Sequence, residues 1–134
     1  GCTDSYTGNV SKEQVNGGTG GFYSYPVINL SFPSGVCNGS TVSLQVNALD
    51  VPNTFTILDN NGVVVAQSSG PNGNAWIGSS PNSGPWNPDG PLNGPLTQVL
   101  SFTYNSSRTY RLRVETAVHN INDYWSVSRS CSIP

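Results

Sequence analysis

The chain has 134 residues, one domain's worth and enough to bury a core without metals or a dense disulfide framework. Only 9% of them are charged, against about a quarter in ordinary soluble proteins, and Gly, Asn, Ser, Thr and Pro fill the deficit, which is a secreted or cell-surface composition. A net charge of -2 with Lys12 as the lone lysine leaves no surface suited to phosphate backbones, so nucleic acid is not an expected partner, and no stretch approaches the roughly 18 apolar residues of a membrane span. The chain contains no methionine, and a removed signal peptide is the expected origin of its amino terminus.

Residues 1–21 carry almost no apolar pattern and end in Asn16-Gly17-Gly18-Thr19-Gly20-Gly21. They are expected to form a flexible arm or tether ahead of a β-domain at 22–134. Such an arm can add as a strand to a neighbouring copy, with Tyr6 and Val10 filling pockets, or serve as a plain tether. From Phe22 to Phe32 the content is strand-like, with Ile28, Leu30 and Phe32 alternating against Asn29 and Ser31 and Pro26 marking an edge or a strand start. Val42, Leu44, Val46 and Ala48 alternate with Ser43, Gln45 and Asn47, the pattern of a half-buried strand.

Residues 53–66 read as a hairpin. Phe55 and Ile57 alternate with Thr54 and Thr56, and Asp59-Asn60-Asn61-Gly62 turns the chain into Val63-Val64-Val65-Ala66, with the glycine suited to a type I turn and G1 bulge. The Asp/Asn run superficially resembles a calcium loop, but no Glu follows at the EF-hand distance, and a turn is the reading taken. Residues 68–95 change character: Gly, Pro, Ser and Asn dominate, and Trp76, Ile77, Trp86 and Leu92 supply the bulk. A connection of that length in a compact domain is usually functional or mobile.

Two long alternating segments follow. Leu96, Leu100, Phe102 and Tyr104 share one face with Gln98 the only polar interruption. Tyr110, Leu112, Val114 and Thr116 then oppose Arg111, Arg113 and Glu115. With the turn residues Asn105-Ser106-Ser107 between them they are expected to pair as an antiparallel hairpin. A last strand starts at Tyr124, with Trp125 and Val127 on one face. About eight short strands and no helical periodicity predict an all-β fold, an antiparallel β-sandwich of jelly-roll or immunoglobulin-like Greek-key type.

The run Phe55-x-Ile57-x-Asp59-x-x-Gly62-x-x-Val65, then Trp76-x-Gly78, then Asp123-x-Trp125 ahead of Cys131 resembles jelly-roll modules of bacterial extracellular proteins. The resemblance covers roughly residues 42–131. It implies the fold and a surface location and carries over no catalytic residue.

Three cysteines leave one over. A Cys37–Cys131 disulfide would tie the early and final parts of the domain together, contributing roughly 4–5 kcal/mol in the chain-entropy account, and it requires an oxidising compartment. Cys2 then has three open readings: lipidation, since Gly1-Cys2 with a polar tether resembles a bacterial lipoprotein processing site although Gly1 is still present; an intermolecular disulfide; or a bridge elsewhere in the chain. Asn9, Asn29, Asn38 and Asn105 head Asn-x-Ser sequons and are N-glycosylation candidates.

Catalysis is not expected. His119 is the only histidine and lies in an Asn-rich turn, and the seven carboxylates are scattered, so neither a triad, a zinc site nor a facing carboxylate pair is indicated. No metal or cofactor is implied. Trp76 and Trp86 in an amide-rich loop, with Asn74, Asn87 and Asp89 as hydrogen-bonding groups, are candidates for stacking on a glycan; the other reading has the indoles plugging the end of the sandwich. The arm, the spare Cys2 and the low charge point instead to an extracellular structural or adhesive subunit whose partners are copies of itself, in a filament or surface layer.

Overall fold

A computed structural model describes residues 5–11, 23–24, 27–30, 32, 38–48, 52–71, 73–80, 92–116 and 124–132. In chain order its strands are β1 (Ser5–Ser11), β2 (Tyr23–Ser24), β3 (Ile28–Leu30), β4 (Thr41–Asn47), β5 (Asn53–Asp59), β6 (Val64–Gln67), β7 (Ser79–Ser80), β8 (Leu92–Asn93), β9 (Thr97–Thr103), β10 (Tyr110–Thr116) and β11 (Tyr124–Ser132). All pairings are antiparallel. Strands β1-β11-β4-β9 form one sheet; β10-β5-β6 form the second, with β2 and β3 sharing the free edge of β10.

Pairing is nested along the chain. β1 lies beside β11, β2 and β3 beside β10, β4 beside β9, and β5 beside β6. A chain doubled back on itself and rolled up this way, with outer and inner pairs distributed between two sheets, is a jelly roll; the immunoglobulin-like order is not found. The architecture is the all-β sandwich expected, with seven strands of four or more residues.

The period-2 pattern decides which side of each strand is dry. In the first sheet Val42, Leu44, Val46, Leu100, Phe102, Trp125 and Val127 face inward; in the second, Leu30, Phe55, Ile57, Tyr110, Leu112 and Val114 meet them. Aromatic rings bridge the sheets. Phe55 stands edge-on to Trp125 at 6.0 Å and 77°, and Phe102 lies 4.6 Å from Tyr110. Arg129, on the inward side of β11, is buried with its guanidinium 4.8 Å from the centre of the Phe32 ring.

The expected hairpin of residues 96–116 is corrected. β9 pairs with β4 and β10 pairs with β5, so the two strands belong to different sheets and residues 104–109 cross between them. The crossing is anchored to both sides: Asn38 Oδ1 accepts from the Ser106 amide (3.0 Å), and Asn60 Oδ1 accepts from the Thr109 amide (3.2 Å). Asn105-Ser106-Ser107 is a turn, held by Asn105 Oδ1 accepting from the Ser107 amide and hydroxyl. Turn chemistry bends the chain, but both strands carry an apolar face, and across the sandwich each face covers the other.

The β5–β6 hairpin forms as read. Gly62 has φ 78°, where a Cβ is disfavoured. Asp59 sits under this turn and connects it to the crossing segment: Oδ1 accepts from the amides of Asn61 (2.8 Å) and Val63 (3.0 Å), and Oδ2 accepts from Arg108 (3.3 Å). Its carboxylate thus joins the turn to the crossing segment.

Candidate interaction surfaces

Burial pushes the Asp59 carboxyl up, but hydrogen bonds from the Val63 and Asn61 amides and the charges of Arg108 and Arg111 outweigh it and hold the carboxyl below its ordinary range. Because the folded-state value is depressed, the resulting stability is present above the unfolded carboxyl value of about 3.9 and is lost as pH falls through the lower folded value. Asp59→Asn is therefore expected to be less stable than the parent at neutral pH, with the gap closing below about pH 4. Urea unfolding at a series of pH values reads this directly; a gap that stays constant to acid pH would show that the charge of Asp59 contributes nothing.

The two outer faces of the sandwich differ in kind. On the second sheet, Arg111, Arg113 and Glu115 of β10 stand opposite Leu58, Thr56 and Thr54 of β5. Thr54 donates to Glu115 Oε1 (3.0 Å), Gln67 donates to Thr56 Oγ1 (3.1 Å), and Arg113 approaches Glu115 at 3.9 Å. These longer side chains cover β5, which is buried on both faces. The charged side chains of β10 thus line this face, Arg111 exposed and Arg113 and Glu115 half-buried, over a β5 row that is itself buried.

The outer face of the first sheet carries no charge at any described position. Its rows, read across β11, β4 and β9, are Ser126-Asn47-Thr97, then Ser128-Gln45-Val99, then Ser130-Ser43-Ser101, with Thr41-Thr103 completing the end. Register adds Asn9, Thr7 and Ser5 of β1 beside Ser126, Ser128 and Ser130. Val99 is the one apolar member and is 61% exposed. Ser43 and Ser101 hydroxyls lie 3.1 Å apart, a cross-strand hydrogen bond of the kind that stabilises sheet faces. Two shallow depressions of about 320 and 230 Å³ lie on this face and share Gln45 and Ser128.

Trp76 is buried, 6% exposed, so its indole offers no open face to a sugar ring. Asn74 Oδ1 accepts from the Trp76 amide (2.9 Å), so this amide shapes its own turn. The adjoining Ile77 exchanges main-chain bonds with Asn53 (3.0 Å each), which fastens the long loop to β5. Trp86, Asn87 and Asp89 lie outside the described residues, as do Cys2, Cys37 and His119. Cys131 is placed by its backbone opposite Val42, and the arm positions Tyr6 and Val10 pair with Arg129 and Trp125. Of the sequon asparagines, Asn29, Asn38 and Asn105 are exposed, and Asn9 pairs with Ser126. Among the described residues no cluster of metal-binding side chains occurs, and no helix is long and apolar enough to cross a membrane.

Comparison with models of known protein families and with curated proteins returned no match.

Alternation singles out the apolar half of each strand and leaves the uncharged face unmarked. The signal lay in the complementary half: Thr41, Ser43, Gln45 and Asn47 are all neutral, and so are Thr97, Ser101 and Thr103. Solvated strand faces ordinarily carry Lys and Glu, which keep sheets from associating.

Proposed function

We propose that this protein is a non-catalytic extracellular structural or adhesive subunit that assembles with copies of itself into a filament or surface layer by exchanging β1. One observation carries the reading. Among the described residues β1 stands at the edge of its sheet with β11 as its one neighbour, and the segment joining it to the rest of the chain includes Gly17, Gly18, Gly20 and Gly21. All seven β1 residues are in register with β11, and the main-chain bonds of that ladder are satisfied equally well by the β1 of another copy. Exchange between chains competes with pairing inside one chain at the effective concentration set by the connecting segment, so assembly rises with protein concentration. The low charge of the chain supports the same reading, since little self-repulsion opposes close packing.

The test is the native size distribution, by light scattering and negative-stain microscopy, of the full chain and of a chain lacking residues 1–20. Polymers are expected from the full chain and not from the truncated one, and an excess of free peptide 1–20 should shorten the polymers by capping β11. A full chain that stays monomeric at every concentration, or polymers indifferent to the peptide, would end the exchange reading.

A further inference from the structure

We infer that the outer face of the β1-β11-β4-β9 sheet is a binding surface for an uncharged polysaccharide. Its members across β11, β4 and β9 are hydroxyl and amide side chains with Val99 among them. Among the described residues the one charge near this face is Arg129, which borders the smaller depression while its guanidinium lies on the inward side against Phe32, so a charged ligand would find little counter-charge here. A neutral polyhydroxylated chain matches it, since hydroxyl and carboxamide groups both donate and accept and neutral groups cost far less to dehydrate than ions.

Geometry favours an extended polymer. Adjacent strands lie about 4.8 Å apart, so the row Ser128-Gln45-Val99 presents side chains at regular short steps across the sheet, and the rows on either side repeat the pattern. The two depressions share Gln45 and Ser128 and so adjoin on the face, which suits a chain lying across both. Bridging waters suit such a contact, because they relay hydrogen bonds between hydroxyl groups at little cost. Val99 offers the apolar patch that the C–H face of a sugar ring requires.

A second copy of this chain fits the face less well. Protein interfaces have an apolar core enriched in aromatic residues, Met and Arg, and the only apolar side chain described here is Val99. The inference does not depend on β1 exchange, since the rows it uses come from β4, β9 and β11 whichever copy supplies β1.

The experiment is depletion of the full-length protein from solution by microcrystalline cellulose, insoluble chitin and an insoluble α-glucan, at low and high salt. At least one of the three is expected to retain the protein, with retention unchanged by salt because no ion pair is involved. Gln45→Glu combined with Ser128→Glu is expected to weaken retention by about tenfold or more, whereas Arg111→Ser on the opposite sheet leaves it unchanged. Thermal midpoints verify that each variant is folded, and Val99→Lys, at the most exposed position of the face, serves as a second disruption should the double variant unfold. Retention by none of the three solids overturns the inference, as does full retention by the folded face variants. A face variant that alters oligomer size while leaving glycan retention intact overturns it in favour of docking between copies.

Discussion

Phe55→Ala is expected to lower folding stability by about 3–5 kcal/mol, as large-to-small aromatic substitutions in a closed core do. Phe55 is fully buried on β5, and its ring stands edge-on to Trp125, which belongs to β11 in the facing sheet. The pair spans the sandwich, so its loss both exposes a cavity and removes a contact between layers. Domains are stable by only about 5–15 kcal/mol, and a fall of roughly 10 °C or more in Tm is the expected reading in thermal unfolding. Trp125→Ala should show a similar loss, and the double variant should fall short of the sum by about 0.5–1.5 kcal/mol, the usual size of an aromatic pair contact. A loss no greater than the roughly 0.5 kcal/mol of a surface substitution would remove Phe55 from the core.

Gly70→Ala is expected to destabilise the protein by about 1–3 kcal/mol or more, through overpacking rather than through backbone conformation. A Cβ at residue 70 would fall inside the van der Waals surface of the Trp76 carbonyl oxygen and 2.9 Å from Asn74 Oδ1. The chain doubles back here, with the Gly70 amide donating to the Asn74 carbonyl (2.6 Å), and main chain cannot yield as a flexible side chain would. Gly73, in the same loop, is the control. Its φ is 77°, yet nothing lies within 4 Å of the added carbon, so Gly73→Ala should cost only the roughly 1–2 kcal/mol of a left-handed residue. Urea unfolding separates the two, and tryptophan fluorescence reports whether Gly70→Ala also uncovers Trp76. Equal losses at the two glycines would mean that the close approach at Gly70 is readily relieved.

Ser68 shows why that loop is held firmly. Its hydroxyl accepts from the Phe55 amide (3.0 Å) and donates to the Ala75 carbonyl, joining the loop to the most buried strand. Gln98 does the same from the other sheet: its Oε1 accepts from the Ser69 amide (2.8 Å) and its Nε2 donates to the Ser69 carbonyl (3.1 Å). One side-chain amide thus behaves as a strand partner for a residue that has none in a ladder, satisfying main-chain groups as folded proteins require.

For the alternating strands β4 and β10 the amino-acid order by itself determined both the strand and which half of it is dry, whereas β1 carries no such pattern and β5 is buried on both faces. Tyr110, Leu112, Val114 and Thr116 are buried as their alternation with Arg111, Arg113 and Glu115 demands, and Val42, Leu44 and Val46 likewise. It also determined the Asp59–Gly62 turn, because a left-handed glycine and an Asp that accepts from nearby amides act within a few residues. Local geometry is written locally. Partner choice is not: period 2 says that a strand has one apolar face and is silent on which strand lies beside it, so β9 and β10 could be read as a hairpin while tertiary packing set them in opposite sheets. For the same reason Gln98 looks like an interruption until Ser69 is brought beside it, and the burial of Trp76 is decided by tertiary packing alone. The neutral outer face was likewise assembled from β4, β9 and β11, strands far apart in the chain, whose polar halves meet only through the nested pairing of the jelly roll.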